Sequence, residues 1–77
     1  MLLIKISCRT PTGFAFFESP QYQTKDDLLR EMKEILPSFK SFTEIDDNCE
    51  EEIWMLMHRI NITQKRYVGT HATVEVG

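Results

Sequence analysis

Cys8, Cys49, His58 and His71 are the residues of this chain best suited to covalent or metal chemistry. A thiol works as a nucleophile when a base lies within hydrogen-bond reach and a third group orients that base. A structural zinc site needs four nitrogen or sulfur ligands, and it usually takes them as close pairs along the chain. Here the four are separated by 41, 9 and 13 positions, so no two are local. No nucleophile elbow, phosphate-binding loop or dinucleotide fingerprint accompanies them. The cysteines read as small, half-buried thiols of a reducing compartment. The expectation is a non-enzyme with no catalytic residues, no cofactor and no bound metal.

Oxygen ligands are more plentiful. Asp46-Asp47-Asn48 and Glu50-Glu51-Glu52 crowd into one stretch, yet they lack the calcium-loop spacing and its central glycine. Their charge is the more telling property. Nine basic and twelve acidic residues give a net charge of −3. Residues 37–52 alone set Glu44, Asp46, Asp47, Glu50, Glu51 and Glu52 against Lys40, a balance of −5. The remaining segments are near neutral: +1 over 1–23, −1 over 24–36 and +2 over 53–77. An acidic segment of this kind steers a protein toward a basic surface on a partner, or imitates nucleic-acid phosphates there. Beside it, Ile53, Met55 and Met57 would supply an adaptable apolar contact.

The leading functional reading is therefore a protein-binding module, either an adaptor or an inhibitor of the phage or mobile-element kind. Its contact residues would be Glu44, Asp46, Asp47, Glu50, Glu51, Glu52, Ile53, Met55 and Met57. The rival reading is a weak single-stranded nucleic-acid binder. Arg59, Lys65, Arg66 and Tyr67 place three cations and one aromatic ring near a single hairpin tip, which is the chemistry of phosphate contact and base stacking. Net acidity opposes a broad basic footprint, so this is the less favoured class.

The elements that must position these groups belong to one small domain spanning 1–77. The 77 residues are 42% hydrophobic, too apolar for a disordered tail and too few for a barrel or a doubly wound sheet. No apolar run approaches the roughly 20 residues of a membrane span. Met1–Ile4 lacks a basic leader region, so the expected location is cytoplasmic, and Asn61-Ile62-Thr63 reads as a chance match to the glycosylation pattern.

Residues 2–9 alternate as a strand, with Leu2, Ile4, Ile6 and Cys8 on one face. Thr10-Pro11-Thr12-Gly13 marks a turn, and Phe14–Glu18 continues as the second strand of a hairpin. Thr24 caps a helix over 24–36, with Leu28, Leu29, Met32, Ile35 and Leu36 as its apolar stripe. Pro37 is expected to end that helix. Phe39, Phe42 and Ile45 would then anchor a loop or a short strand.

Residues 50–63 fit either period. As a helix they place Ile53, Leu56, Met57 and Ile60 together, with Asn48 and Glu51 as caps. As a strand they place Trp54, Leu56, His58, Ile60 and Ile62 on one face. Residues 67–76 alternate, with Val68, Thr70, Ala72, Val74 and Val76 on one side. Folding the two segments about Gln64-Lys65-Arg66 pairs Ile62 with Val68, Ile60 with Thr70, His58 with Ala72, Leu56 with Val74 and Trp54 with Val76. The strand reading follows, since it gives the C-terminal stretch a sequential partner.

The predicted fold is α+β, ββαββ or ββαβββ, with one main helix on an antiparallel or mixed sheet. In outline it is similar to the β-grasp arrangement of ubiquitin-like domains, a likeness of layout without a shared motif. An edge strand over Thr70–Val76 would allow a homodimer as well as a monomer.

Overall fold

The computed structural model describes residues 2–61 and 63–77. Their elements run in the order β1 (Ile4–Thr10), β2 (Gly13–Glu18), α1 (Lys25–Thr43), α2 (Asp47–His58), β3 (Arg66–Val68) and β4 (Ala72–Val76). The α+β class is as expected, but the order is ββααββ and the one-helix layout gives way to two helices in succession. Four strands form one antiparallel sheet in the order β2-β1-β4-β3. No helix among the described residues is long and apolar enough to cross a membrane.

The first hairpin forms where its turn signal placed it. Thr10 pairs with Gly13, whose φ of +138° favours glycine because it has no Cβ. Ile4, Ile6 and Cys8 point into the core, as do Ala15 and Phe17 across from Cys8 and Ile6. The buried Ser19 then fixes the exit of β2: its Oγ accepts from the Ile4 amide (2.9 Å) and donates to the Pro20 carbonyl (2.9 Å).

α1 starts at its expected cap, with the Thr24 hydroxyl accepting from the Asp27 amide at 3.1 Å. It does not end at Pro37, which lies inside a 19-residue helix. A mid-helix proline removes one backbone donor and crowds the carbonyl four residues earlier. Both Pro37 and Lys33, the residue owning that carbonyl, are exposed, so water can serve the freed oxygen. The buried stripe Leu28, Met32, Leu36 and Phe39 meanwhile continues unbroken. Burial along that stripe outweighs the local penalty. Phe39 packs against Phe17 (ring centroids 5.5 Å apart), which seats α1 over the β2 side of the sheet. Phe42, expected to anchor a loop, lies on the exposed side of α1, while Ile45 does enter the core.

Residues 50–63 correct the strand reading. Their greater part is helical, as the C-terminal portion of α2, and the capping group is Asp46, whose Oδ1 accepts from the Cys49 amide at 2.8 Å. Ile53, Leu56, Met57 and Ile60 are buried together, the helical grouping rather than the alternating one. The expected pairing of Ile62 with Val68 lies outside the described residues. The other four pairs do not form, because the partner of β4 is β1: Ile4 pairs with Val76, Ile6 with Val74 and Cys8 with Ala72. Residues 67–76 are not one strand either. They fold back on themselves, so that Tyr67 pairs with Val74 and shares its buried face, while Val68 turns outward.

Candidate functional site: the open face of the sheet

Both helices contribute to one hydrophobic core against one side of the sheet. Strand pleating sends alternate residues to the other side, where Lys5, Ser7 and Arg9 of β1 meet Phe14, Phe16 and Glu18 of β2. From the opposite flank come Thr73 and Glu75 of β4, and Arg66 and Val68 of β3. Among the described residues, nothing covers this face. Phe14 is 62% exposed, Phe16 74% and Val68 66%. Large apolar side chains clustered on an open face are the sort of surface that partners cover.

The register arranges the face in rows. One row runs Glu18, Lys5, Glu75, Arg66, alternating in charge from strand to strand, with Arg66 Nε 3.7 Å from Glu75 Oε1. The next runs Phe16, Ser7, Thr73, Val68: a bulky apolar group at each end and two small hydroxyl residues between. These line a shallow trough with Phe16 and Glu18 on one side and Thr73 and Glu75 on the other. A third row begins with Phe14 and Arg9, the guanidinium lying 5.9 Å from the ring centroid. The ten residues of this face carry three cations and two anions, a balance of +1.

The acidic segment, foremost in the sequence reading, proves to be largely occupied with holding the fold. Asp46 caps α2. Lys40 of α1 bonds to Asp47 and approaches Glu50 at 3.4 Å, bridging the two helices. The hydrogen bond from Lys40 holds the Asp47 carboxyl below its ordinary range, and the same bond raises the Lys40 ammonium. Glu52 Oε1 accepts from the backbone amides of His71 (2.6 Å) and Ala72 (2.7 Å), latching the β3–β4 turn to α2. Glu44 is the C-terminal cap of α1 at φ +58°, its amide donating to the Lys40 carbonyl at 2.8 Å. Glu51 is exposed beside Asn48, Met55 and His71.

The adjoining apolar face does not exist as expected. Ile53 and Met57 are fully buried, and Met55 alone of the three is exposed. A helix turns about 100° per residue, so positions that alternate on a strand separate on its surface. The basic cluster is likewise dispersed. Arg59, Lys65 and Arg66 are exposed, but Tyr67 is buried and its hydroxyl accepts from the Asn61 amide at 2.8 Å. A ring so enclosed cannot stack on a base.

His58 and His71 are both exposed, at opposite ends of α2, and His58 Nδ1 donates to the Trp54 carbonyl at 2.7 Å. The placement of His58 on a core-facing strand is thereby corrected.

Sequence alone makes Phe14 and Phe16 no more than members of the second hairpin strand. Their i, i+2 spacing with Ala15 and Phe17 between makes both faces of β2 apolar, a pattern that fits a strand buried on both sides. On an outer strand the same pattern leaves one of the two apolar sides exposed. No family model, curated protein or solved structure matches the chain.

Proposed function

We propose that this chain is a non-enzymatic protein-binding module that acts through the open face of its sheet, as an adaptor or as an inhibitor that blocks a surface of its partner. The observation that carries this reading is the exposure of Phe14 and Phe16 on a face that none of the described residues covers. Exposed aromatic anchors beside a small-residue floor suit an apolar side chain of a partner, and the alternating row of charges suits its polar rim. The contact surface thus moves from the acidic segment to the sheet, with Glu51 and Met55 as the remnant of the earlier site.

A second reading, single-stranded nucleic-acid binding, draws on the Arg9–Phe14 stack, since an aromatic ring beside a cation is also a base platform. The charge pattern favours a protein. Lys5 lies between Glu18 and Glu75, and Arg66 is paired with Glu75, so few cations are free for phosphates.

Photo-crosslinking tests the proposal. A benzophenone amino acid replaces Phe16 in one variant and the still more exposed Phe42 in another, each expressed in the source cell. A discrete protein adduct at position 16, absent at 42 and lost with Phe14→Ala, is the expected result. Adducts at Met55 but not Phe16 would return the site to the acidic segment. Submicromolar binding of an oligonucleotide, abolished by Arg9→Ala, would replace the protein reading with the nucleic-acid one.

A further inference from the structure

Cys8 and Cys49 lie on the opposite side of the sheet from the open face, and neither belongs to the site above. Cys8 sits on the core face of β1, across from Ala72 of β4. Cys49 is in the first turn of α2, its Sγ 3.8 Å from the His71 carbonyl oxygen, to which it donates. That same carbonyl accepts from the Arg9 amide at 3.2 Å, so Cys49 is tied to the strand rung next to Cys8. One shared carbonyl thus separates the Cys49 sulfur from the backbone beside Cys8, and both thiols are 1% exposed and free.

We infer that this pair is a latent disulfide site: a small oxidant of the peroxide class converts Cys8 and Cys49 into an intramolecular bridge between β1 and α2. Disulfides demand close side chains, and the packing of α2 on the sheet brings the Cys49 sulfur to the rung beside Cys8. Burial raises both thiols above their ordinary range; at Cys49 a hydrogen bond with Cys8 partly offsets this, while the Asp46 and Glu52 carboxylates add to it. The first attack is assigned to Cys49, which sits in the first turn of α2, the part of the pair's surroundings free to open without breaking the sheet.

Its sulfur attacks one oxygen of hydrogen peroxide and the O–O bond breaks. The departing hydroxide takes the thiol proton as water and leaves Cys49 as a sulfenic acid. Cys8 sulfur then attacks Cys49 sulfur, the S–O bond breaks, and the hydroxyl leaves with the Cys8 proton as a second water. Two thiols lose two electrons in total, and the peroxide gains them. Because both groups are buried, the rate follows local opening of the first turn of α2 rather than surface access.

The test treats the intact protein with hydrogen peroxide, denatures it in an alkylating reagent and measures its mass. The expected product has lost two hydrogens, carries no alkyl group, and yields on digestion a peptide around Cys8 joined to one around Cys49. Its melting temperature rises by on the order of 10 °C, because the bridge closes a loop of about 40 residues, and a dithiol reductant reverses the shift. In Cys8→Ser, the link is lost and a dimedone adduct appears on Cys49. Oxygen adducts without a link, dimers between copies, or full alkylation of both thiols after prolonged exposure would each overturn the inference. The bridge lies beneath the sheet, so its failure leaves the open-face reading untouched.

Discussion

Glu52 shows how much one side chain of the acidic segment contributes to the fold. Its carboxylate serves two adjacent backbone amides and lies directly against Gly69, where an added Cβ would fall on the carboxylate itself. Truncation removes two hydrogen bonds to a charged acceptor, one at an exposed amide that water can reach, at a cost of about 1–3 kcal/mol in all. Glu52→Ala should lower the urea midpoint accordingly, and Glu52→Gln, which keeps an acceptor oxygen, should lower it less. Gly69→Ala should also destabilise, by evicting the carboxylate. In a double-mutant cycle the two changes should be sub-additive, because the second has little left to disrupt. Glu44 behaves in the reverse sense. It occupies a left-handed cap that glycine adopts without a Cβ clash, so Glu44→Gly should raise stability by about 0.5–1 kcal/mol in thermal melts. At this scale the sequence disclosed the charges but not their partners. The latch from Glu52 to His71 and Ala72 spans 19 and 20 positions, and nothing local to Glu52 announces it.

Among the elements, α1 carries a defect that the rest of its sequence overrides. Pro37→Ala restores one helix donor and relieves a clash at an exposed position. It should stabilise by about 1–3 kcal/mol, read as a higher melting temperature. The bridge from Lys40 to Asp47 and Glu50 joins α1 to α2 and sets a pH window. Lys40 is raised above its ordinary 10.5, so its contribution is complete below that value and fades as pH rises through the raised one. Asp47 is lowered beneath its ordinary 3.8, so its contribution is complete above that value and fades as pH falls through the lowered one. The difference in melting temperature between wild type and Lys40→Met should therefore be flat from about pH 5 to about pH 9 and shrink below about pH 4. High salt should diminish it throughout, since both side chains reach solvent.

The same scale shows which elements were legible. The β1–β2 hairpin and the start of α1 follow from alternation, a turn and a cap that all lie within a few residues of each other. The identity of 50–63 does not. Ile53, Leu56, Met57 and Ile60 satisfy a helix, Trp54, Leu56, His58 and Ile60 satisfy a strand, and the choice rested on finding β4 a neighbour in sequence. Its main neighbour is β1, and the short β3 pairs along its other side. Circular dichroism checks the outcome directly: helices of 19 and 12 residues should give more than twice the signal expected of a single helix over 24–36.

For the molecule as a whole, the decisive asymmetry is a sheet buried on one side and bare on the other. Alternation along β1 marks Lys5, Ser7 and Arg9 as the outer set, so three of the ten residues of this surface are legible directly. Phe14 and Phe16 are not, since aromatic residues on a strand ordinarily signal the interior. If the face exists for a partner, Phe16→Ser should leave the melting temperature within experimental scatter, because a side chain already in water contributes little to folding. Self-association at high concentration should fall in the same variant, as measured by sedimentation, because the exposed aromatic patch is reduced.

The order β2-β1-β4-β3 places the first and last strands side by side at the centre of the sheet. Ile4 finds Val76 only after all the residues between them have been made. During synthesis the N-terminal hairpin and the helices emerge while the sheet is still missing its second central strand, with much of the core exposed. Pairing over so great a separation also slows folding relative to a helical protein of this size. Nascent chains stalled before β4 clears the ribosome should therefore remain protease-sensitive, and resistance should appear abruptly once Val76 is free.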